Sequence, residues 1–231
     1  MQVITVSGPP SAGKTSVILK AAACLRDRGC TVGVVKFDCL FTDDDQLYAA
    51  AGFPAKKALS RELCPDHFFI SNIEDAYAWG EKKNLDYLIT ESAGLCNRCS
   101  PHIRRIMAVC VVDQLSGIRT PAKIGPMLRL ADEVVVTKGD IVSQAEREVF
   151  EMKVRTVNPR AEILRVNGLN GQGAQALVDA MQSYRAAGAL KEQKLRFPMP
   201  MALCSYCLGE TKIGAEYQIG NLRKADWGDE A

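Results

Sequence analysis

The sequence predicts an α/β fold, a mostly parallel sheet flanked by helices, and three observations carry that expectation. Short Val- and Ile-rich runs alternate with helix-length segments along most of the chain. The runs are nearly continuous in apolar residues, as strands covered on both faces are, rather than alternating as half-exposed strands do. A glycine-containing turn, Gly8–Gly13, separates the first run from the first helical segment. That order of strand, loop and helix belongs to sheets that gather ligands at the carboxyl ends of their strands.

Strands are expected at Val3–Val6, Val32–Val35, Tyr87–Thr90, Val109–Val112, Val134–Thr137 and Ile163–Val166, and helices at Lys14–Arg28, Ile73–Lys83 and Ser143–Asn158. Gly173–Tyr184 reads as the last helix of this domain, taken as residues 1–187. Beyond Ala187 the pattern changes. Lys191–Arg196 is charged, Phe197-Pro198-Met199-Pro200 is extended, and a cysteine pair follows. Residues 188–231 therefore read as a short cysteine-containing appendage without a large core of its own.

Composition bounds the function. A chain of 231 residues, 47% hydrophobic, supports one full α/β domain and little more. A net charge of +2 gives no field that points to nucleic acid or a membrane surface. No apolar run approaches the roughly 20 residues of a spanning helix, and Gln2–Val6 follows no basic leader segment. A cytoplasmic location is expected. In a reducing compartment the nine cysteines are thiols, metal ligands or core residues rather than disulfides.

Gly8-Pro9-Pro10-Ser11-Ala12-Gly13-Lys14-Thr15 matches the G-x-x-x-x-G-K-[ST] phosphate loop in the context that motif requires. Backbone N–H groups surround phosphate oxygens there, and the following helix turns its positive end toward them. The binding set is Gly8, Ser11, Ala12, Gly13, Lys14, Thr15 and Ser16. Lys14 reaches the β- and γ-phosphates, and the Thr15 hydroxyl binds Mg²⁺. Carboxylates for the metal or the attacking water are sought at strand ends. Glu91 closes the third expected strand, and Gly94 behind it lets a backbone N–H approach the γ-phosphate. Asp38 follows the second strand and heads the acidic run Asp43-Asp44-Asp45, which reads equally as a solvated turn. Lys14, Asp38 and Glu91 are the expected catalytic residues.

Thr137-Lys138-Gly139-Asp140 ends another apolar strand. A carboxylate there accepts hydrogen bonds from N1–H and the exocyclic amine of guanine, donors that adenine lacks at that edge. Lys138 lays its stem along the base, and Asn167 in Asn167-Gly168-Leu169-Asn170-Gly171 closes over it. GTP and GDP are thus the expected nucleotides.

In this order, the motifs resemble the SIMIBI-class GTPases that serve metalloenzyme maturation, above all the nickel-insertion GTPases of hydrogenase and urease. The resemblance covers residues 1–185 and also rests on Leu63-Cys64-Pro65-Asp66-His67, Glu91-Ser92-Ala93-Gly94 and Asn158-Pro159-Arg160-Ala161. It implies a homodimer in which Cys64 and His67 take the place of the family's nickel- or zinc-binding segment at a nucleotide-dependent interface. The chain departs from the urease type by inserting Asp66 between Pro65 and His67, and from the hydrogenase type by lacking metal-binding residues at the N-terminus.

Two Cys-x-x-Cys pairs, Cys96 with Cys99 and Cys204 with Cys207, lie outside that pattern. Four thiolates complete a tetrahedral Zn²⁺ site or a [4Fe–4S] cluster. The first pair meets its counterpart in a second subunit, or the two pairs close one site within a chain, or they stay separate. The metal is open between Zn²⁺, Ni²⁺ and a [4Fe–4S] cluster, against a reading of the pairs as plain dithiols or core thiols. His102, three residues after the first pair, is a possible extra ligand but is expected at the surface, and Cys24, Cys30, Cys39 and Cys110 mostly in the core. The reading that unites these features is a GTP-hydrolysing accessory protein for a client metalloenzyme, its cysteine site coupled to nucleotide state. The competing readings are a nucleotide-gated [4Fe–4S] electron donor or cluster carrier resembling the nitrogenase iron protein, and a GTP-dependent protein chaperone with structural zinc.

Overall fold

The computed structural model describes residues 1–185, 190–197, 211–218 and 222–227. Seven parallel strands form one sheet in the order β3-β2-β4-β1-β5-β6-β7. They are β1 (Gln2–Ser7), β2 (Val32–Asp38), β3 (Ala55–Leu59), β4 (Tyr87–Ser92), β5 (Met107–Asp113), β6 (Glu133–Thr137) and β7 (Glu162–Arg165). The helices are α1 (Lys14–Asp27), α2 (Asp44–Ala50), α3 (Pro65–Lys82), α4 (Thr120–Lys123), α5 (Pro126–Arg129), α6 (Gln144–Val157) and α7 (Ala174–Ser183).

The expected strands all appear, and β3 joins them at the edge. Its Ala55-Lys56-Lys57-Ala58-Leu59 carries two lysines and only Ala58 is fully buried, so it lacks the continuous apolar signature of the central strands. Two expectations need correction, and two short helices are additional. The acidic run is not a solvated turn: Asp44 and Asp45 form the first turn of α2, where carboxylates favour the positive end of the helix. The helix expected from Ile73 begins at Pro65, a first-turn position at which proline loses no hydrogen bond. Finally, α4 and α5 are short turns between β5 and β6 that carried no periodic signal.

Side-chain alternation on the central strands builds a core on each face. On one, Ile4, Val6, Val34 and Ile89 meet Val17, Ile18, Ala21 and Leu25 of α1 and Leu177, Val178 and Met181 of α7. On the other, Val3, Val35, Phe37 and Leu88 meet Phe68, Phe69, Ile73 and Trp79 of α3. Phe37 stands edge-on to Phe69 with ring centroids 4.9 Å apart, a preferred aromatic geometry. A third cluster, with Val112, Val134 and Val136, packs on Leu128, Phe150 and Val154.

The described tail residues lie on this domain. Leu190, Leu195 and Ile213 join the α3-side core. Arg196 pairs through two nitrogens with Asp132 at 2.7 and 2.6 Å and donates to the carbonyls of Ile103, Leu130 and Ile106. Such a charge-assisted, two-pronged contact holds a chain segment in one register. Among the described residues no helix is long and apolar enough to cross a membrane.

Candidate nucleotide and metal site

The loop between β1 and α1 is shaped by backbone that few side chains tolerate. Gly8 has φ +143°, Gly13 +90°, and Ser11 takes the left-handed region at +60°. A Cβ on Gly8 would strike the Val111 carbonyl, and one on Gly94 would strike the Gly8 carbonyl. The segment leaving β4 is therefore pressed against the phosphate loop. Lys14 spans the same contact: its Nζ donates to the carbonyls of Gly8 at 3.0 Å, Pro9 at 2.9 Å and Ala93 at 3.4 Å. Burial, partly offset by Glu91 and reinforced by Lys36, lowers its pKa to about 8. A phosphate in place of those carbonyls would raise it again.

Glu91 is almost wholly enclosed at the end of β4. Its Oε1 accepts from Lys36 Nζ at 2.7 Å and from the Thr15 hydroxyl at 3.1 Å, and its Oε2 accepts from the Tyr48 hydroxyl at 2.6 Å. Lys36 also pairs with Asp44 at 2.8 Å and approaches Asp38 at 3.7 Å. Burial opposes the Lys36 charge, but Glu91 and Asp44 outweigh it and raise its pKa. Burial likewise acts to raise Asp44, and Lys36 more than reverses it. The donors around Thr15 are a hydroxyl and carboxylates, the all-oxygen set that a hard cation such as Mg²⁺ selects. Lys36 and Tyr48 were not singled out in the sequence, and Asp44 only as part of the acidic run. A lysine inside an apolar strand is visible there, but its three acidic neighbours are not.

The expected guanine segment is tied back to the phosphate loop. Thr137 Oγ1 donates to the Ala12 carbonyl at 2.7 Å, and Lys138 Nζ to the Ser11 carbonyl at 2.8 Å. Asp140 is exposed in a 3-10 turn, Gly139–Ile141. With Gly139, Arg147, Val166 and Asn167 it lines an open cleft of about 380 Å³. The loop from Asn167 is stiffened by its own amide, whose Oδ1 accepts from the N–H groups of Leu169 and Asn170. Gly168 of that loop packs against Ser16. The expected phosphate, metal and base residues thus converge at the carboxyl ends of the strands, where β1 and its neighbours β4 and β5 open.

The cysteine end regroups the sequence expectations. The Sγ atoms of Cys96 and Cys99 and a carboxylate oxygen of Asp66 all lie within 4.8 Å of one another. Cys64 caps α3 and is close enough to act electrostatically on both Asp66 and Cys99. Burial first, and then Cys64, pushes Asp66 up to about 7. Burial first, and then the acidic neighbours, pushes the Cys99 thiol far above its usual range. A metal that binds this group displaces whatever protons it carries. Asp66, the residue inserted relative to the urease pattern, joins the cysteines. His67 is buried in α3 with its pKa lowered by burial and is not in that group. Cys204 and Cys207 lie outside the described residues.

His102 is not at the surface. It is fully enclosed, with Nδ1 3.1 Å from Thr5 Oγ1 and Nε2 3.1 Å from both Ser7 Oγ and the Met127 carbonyl. Burial, followed by Arg196, takes its pKa down to about 3. It fastens the segment after Cys99 to the strand that carries the phosphate loop. Of the four lone cysteines, Cys110 is buried, Cys24 and Cys30 are half-buried and pack against the α1-side core, and Cys39 is half-buried.

Comparisons with known proteins agree with the fold. An uncharacterized protein of Methanocaldococcus jannaschii is 45% identical over 226 residues, spanning 98% of this chain and 97% of its own length. A urease accessory protein UreG 2 of a Bradyrhizobium species is 26% identical over 192 residues, 78% of this chain and 89% of that one. The HypB structure from Helicobacter pylori, solved in complex with nickel, shares the fold with a TM-score of 0.63 at 19% identity, covering 82% of this chain and 91% of that one. The CobW/HypB/UreG nucleotide-binding domain matches residues 2–165, from β1 through β7 and across both the carboxylate and the cysteine groups, and the chain belongs to that family.

Proposed function

We propose that this protein is a GTP-binding and GTP-hydrolysing switch for metalloenzyme maturation, with a cysteine–carboxylate metal site coupled to its nucleotide state. The observation that carries the reading is the single segment Glu91–Cys99. At its start, Glu91 receives the Thr15 hydroxyl. In its middle, the Ala93 carbonyl receives Lys14 and Gly94 packs on Gly8. At its end, Cys96 and Cys99 meet Asp66. A γ-phosphate that draws Lys14 from Ala93 and approaches Gly94 displaces a segment whose far end is the ligand set, so the two sites share one mechanical element.

Mg²⁺, held by Thr15 with Glu91, Asp38 and Asp44 nearby, would supply charge neutralisation of the phosphates. Lys14 orients the phosphates, and Glu91 and Asp38 are the carboxylates available to position water. The related HypB structure solved with nickel and the related urease accessory protein support Ni²⁺ as the cargo and a metalloenzyme client, and the cysteine donors suit Zn²⁺ as well. A homodimer fits the exposed Leu40, Phe41, Leu47 and Leu95, apolar residues on the segments after β2 and β4 that respond to nucleotide.

The test is metal and acid-labile sulfide analysis of anaerobically purified protein together with its GTP turnover. A colourless protein that hydrolyses GTP and holds Zn²⁺ or Ni²⁺ supports the reading. A brown protein with cluster absorbance favours the cluster carrier or electron donor instead. A protein that turns over no GTP contradicts the switch.

A further inference from the structure

Three carboxylates from three elements converge on one buried ammonium. Lys36 Nζ lies 2.7 Å from Glu91 of β4, 2.8 Å from Asp44 of α2 and 3.7 Å from Asp38 at the end of β2. The Lys36 side chain is only 6% exposed and that of Glu91 only 1%. Lys36 and Glu91 are register partners on adjacent strands, so the sheet itself sets their encounter. The oxygen that Lys36 contacts, Oε1, is also the one nearest the Thr15 hydroxyl. A divalent cation at Thr15 would therefore stand one carboxylate away from a fixed positive charge, in a place that water screens poorly.

We propose that Lys36 is a resident cation that competes with Mg²⁺ for Glu91 and Asp44 as the metal–nucleotide loads. The same ammonium clamps the first turn of α2 to the end of β4, so loading frees α2 to move. Tyr48 reinforces the clamp: it lies in α2 and donates to Glu91 Oε2. This inference rests on the nucleotide reading above and adds a cause for Mg²⁺ dependence within that site. A lysine that only fills the interior would affect folding and affinity without changing how much Mg²⁺ the nucleotide needs.

The experiment measures binding of a fluorescent guanine nucleotide against Mg²⁺ concentration for the wild type, Lys36→Gln and Lys36→Arg. Glutamine keeps a donor for the carboxylates and removes the charge. The half-saturating Mg²⁺ concentration should fall by about tenfold in Lys36→Gln and stay near the wild-type value in Lys36→Arg. An unchanged Mg²⁺ midpoint in Lys36→Gln, or nucleotide affinity lowered equally at every Mg²⁺ concentration, overturns the proposal. Should Lys36→Gln fail to fold, hydrogen exchange of the wild type decides. Amides of Asp44–Ala50 should exchange faster with Mg²⁺–nucleotide than with nucleotide in chelator, and equal rates overturn it. If the wild type binds no guanine nucleotide at any Mg²⁺ concentration, the nucleotide reading itself falls and takes this inference with it.

Discussion

The Thr15 hydroxyl donates to the Glu91 carboxylate across 3.1 Å, joining the end of the phosphate loop to the end of β4. The contact crosses the sheet between elements far apart in sequence. It brings the hydroxyl expected to bind metal and a buried carboxylate to one point, where Lys36 shares Oε1 with Thr15 and Tyr48 donates to Oε2.

Replacing Glu91 with glutamine keeps the shape and removes the charge. Lys36 is then left buried with Asp44 and the more distant Asp38, and breaking such an enclosed pair costs roughly 3 kcal/mol. The variant should melt at lower temperature, bind guanine nucleotide with little response to Mg²⁺, and hydrolyse GTP at least about a hundredfold more slowly. Thermal melts and single-turnover assays check this. Unchanged turnover removes Glu91 from the chemistry.

Asp140→Asn tests the base. The carboxylate accepts two donors from guanine, whereas an amide offers one acceptor and a donor. GTP binding should weaken about a hundredfold, and xanthosine triphosphate, whose carbonyl meets the new donor, should gain. Competition against a fluorescent nucleotide measures both. Equal loss of every nucleotide would mean that Asp140 acts only on the loop.

Glu133 carries a pH dependence away from the site. Burial, with Glu162 beside it across the β6–β7 register and Asp132 next in sequence, raises its carboxyl to about 7 from an ordinary value of 4.5. Between those values the folded protein keeps a proton that the unfolded chain has released. Stability therefore falls as pH rises through the window, and the loss is complete above about 7. Glu133→Gln should flatten that slope and raise stability at pH 8 by about 1 kcal/mol, a value discounted for solvent screening. Urea titrations across the window check it; a stability that rises with pH in the wild type but not in the variant contradicts the assignment.

The central strands were legible because Val3–Val6, Val109–Val112 and Val134–Thr137 are apolar on both faces, and the phosphate loop because its spacing is tied to one backbone geometry. The edge was not: Lys56 and Lys57 dilute the β3 pattern, and the acidic start of α2 reads as a loop until its helix is seen. Candidate site residues could be named from the sequence where a motif fixes them, as with Lys14, Thr15 and Asp140. They were missed where only tertiary packing joins them. Lys36 sits in an apolar strand, and its partners come from two other elements. Asp66 looked like an interruption of a motif, yet the first turn of α3 delivers it to Cys96 and Cys99. His102 is a polar residue of the kind more often found at the surface, while Thr5, Ser7 and Met127 satisfy it inside.

Coupling between the nucleotide and the Asp66–Cys96–Cys99 group is the central claim, and metal affinity tests it most directly. The Zn²⁺ affinity of the reduced protein is measured by competition with a chromogenic chelator, once with GDP and once with a non-hydrolysable GTP analogue. The two values should differ by about tenfold or more, and Cys96→Ser should abolish the difference. Equal affinities in the two nucleotide states would contradict the account.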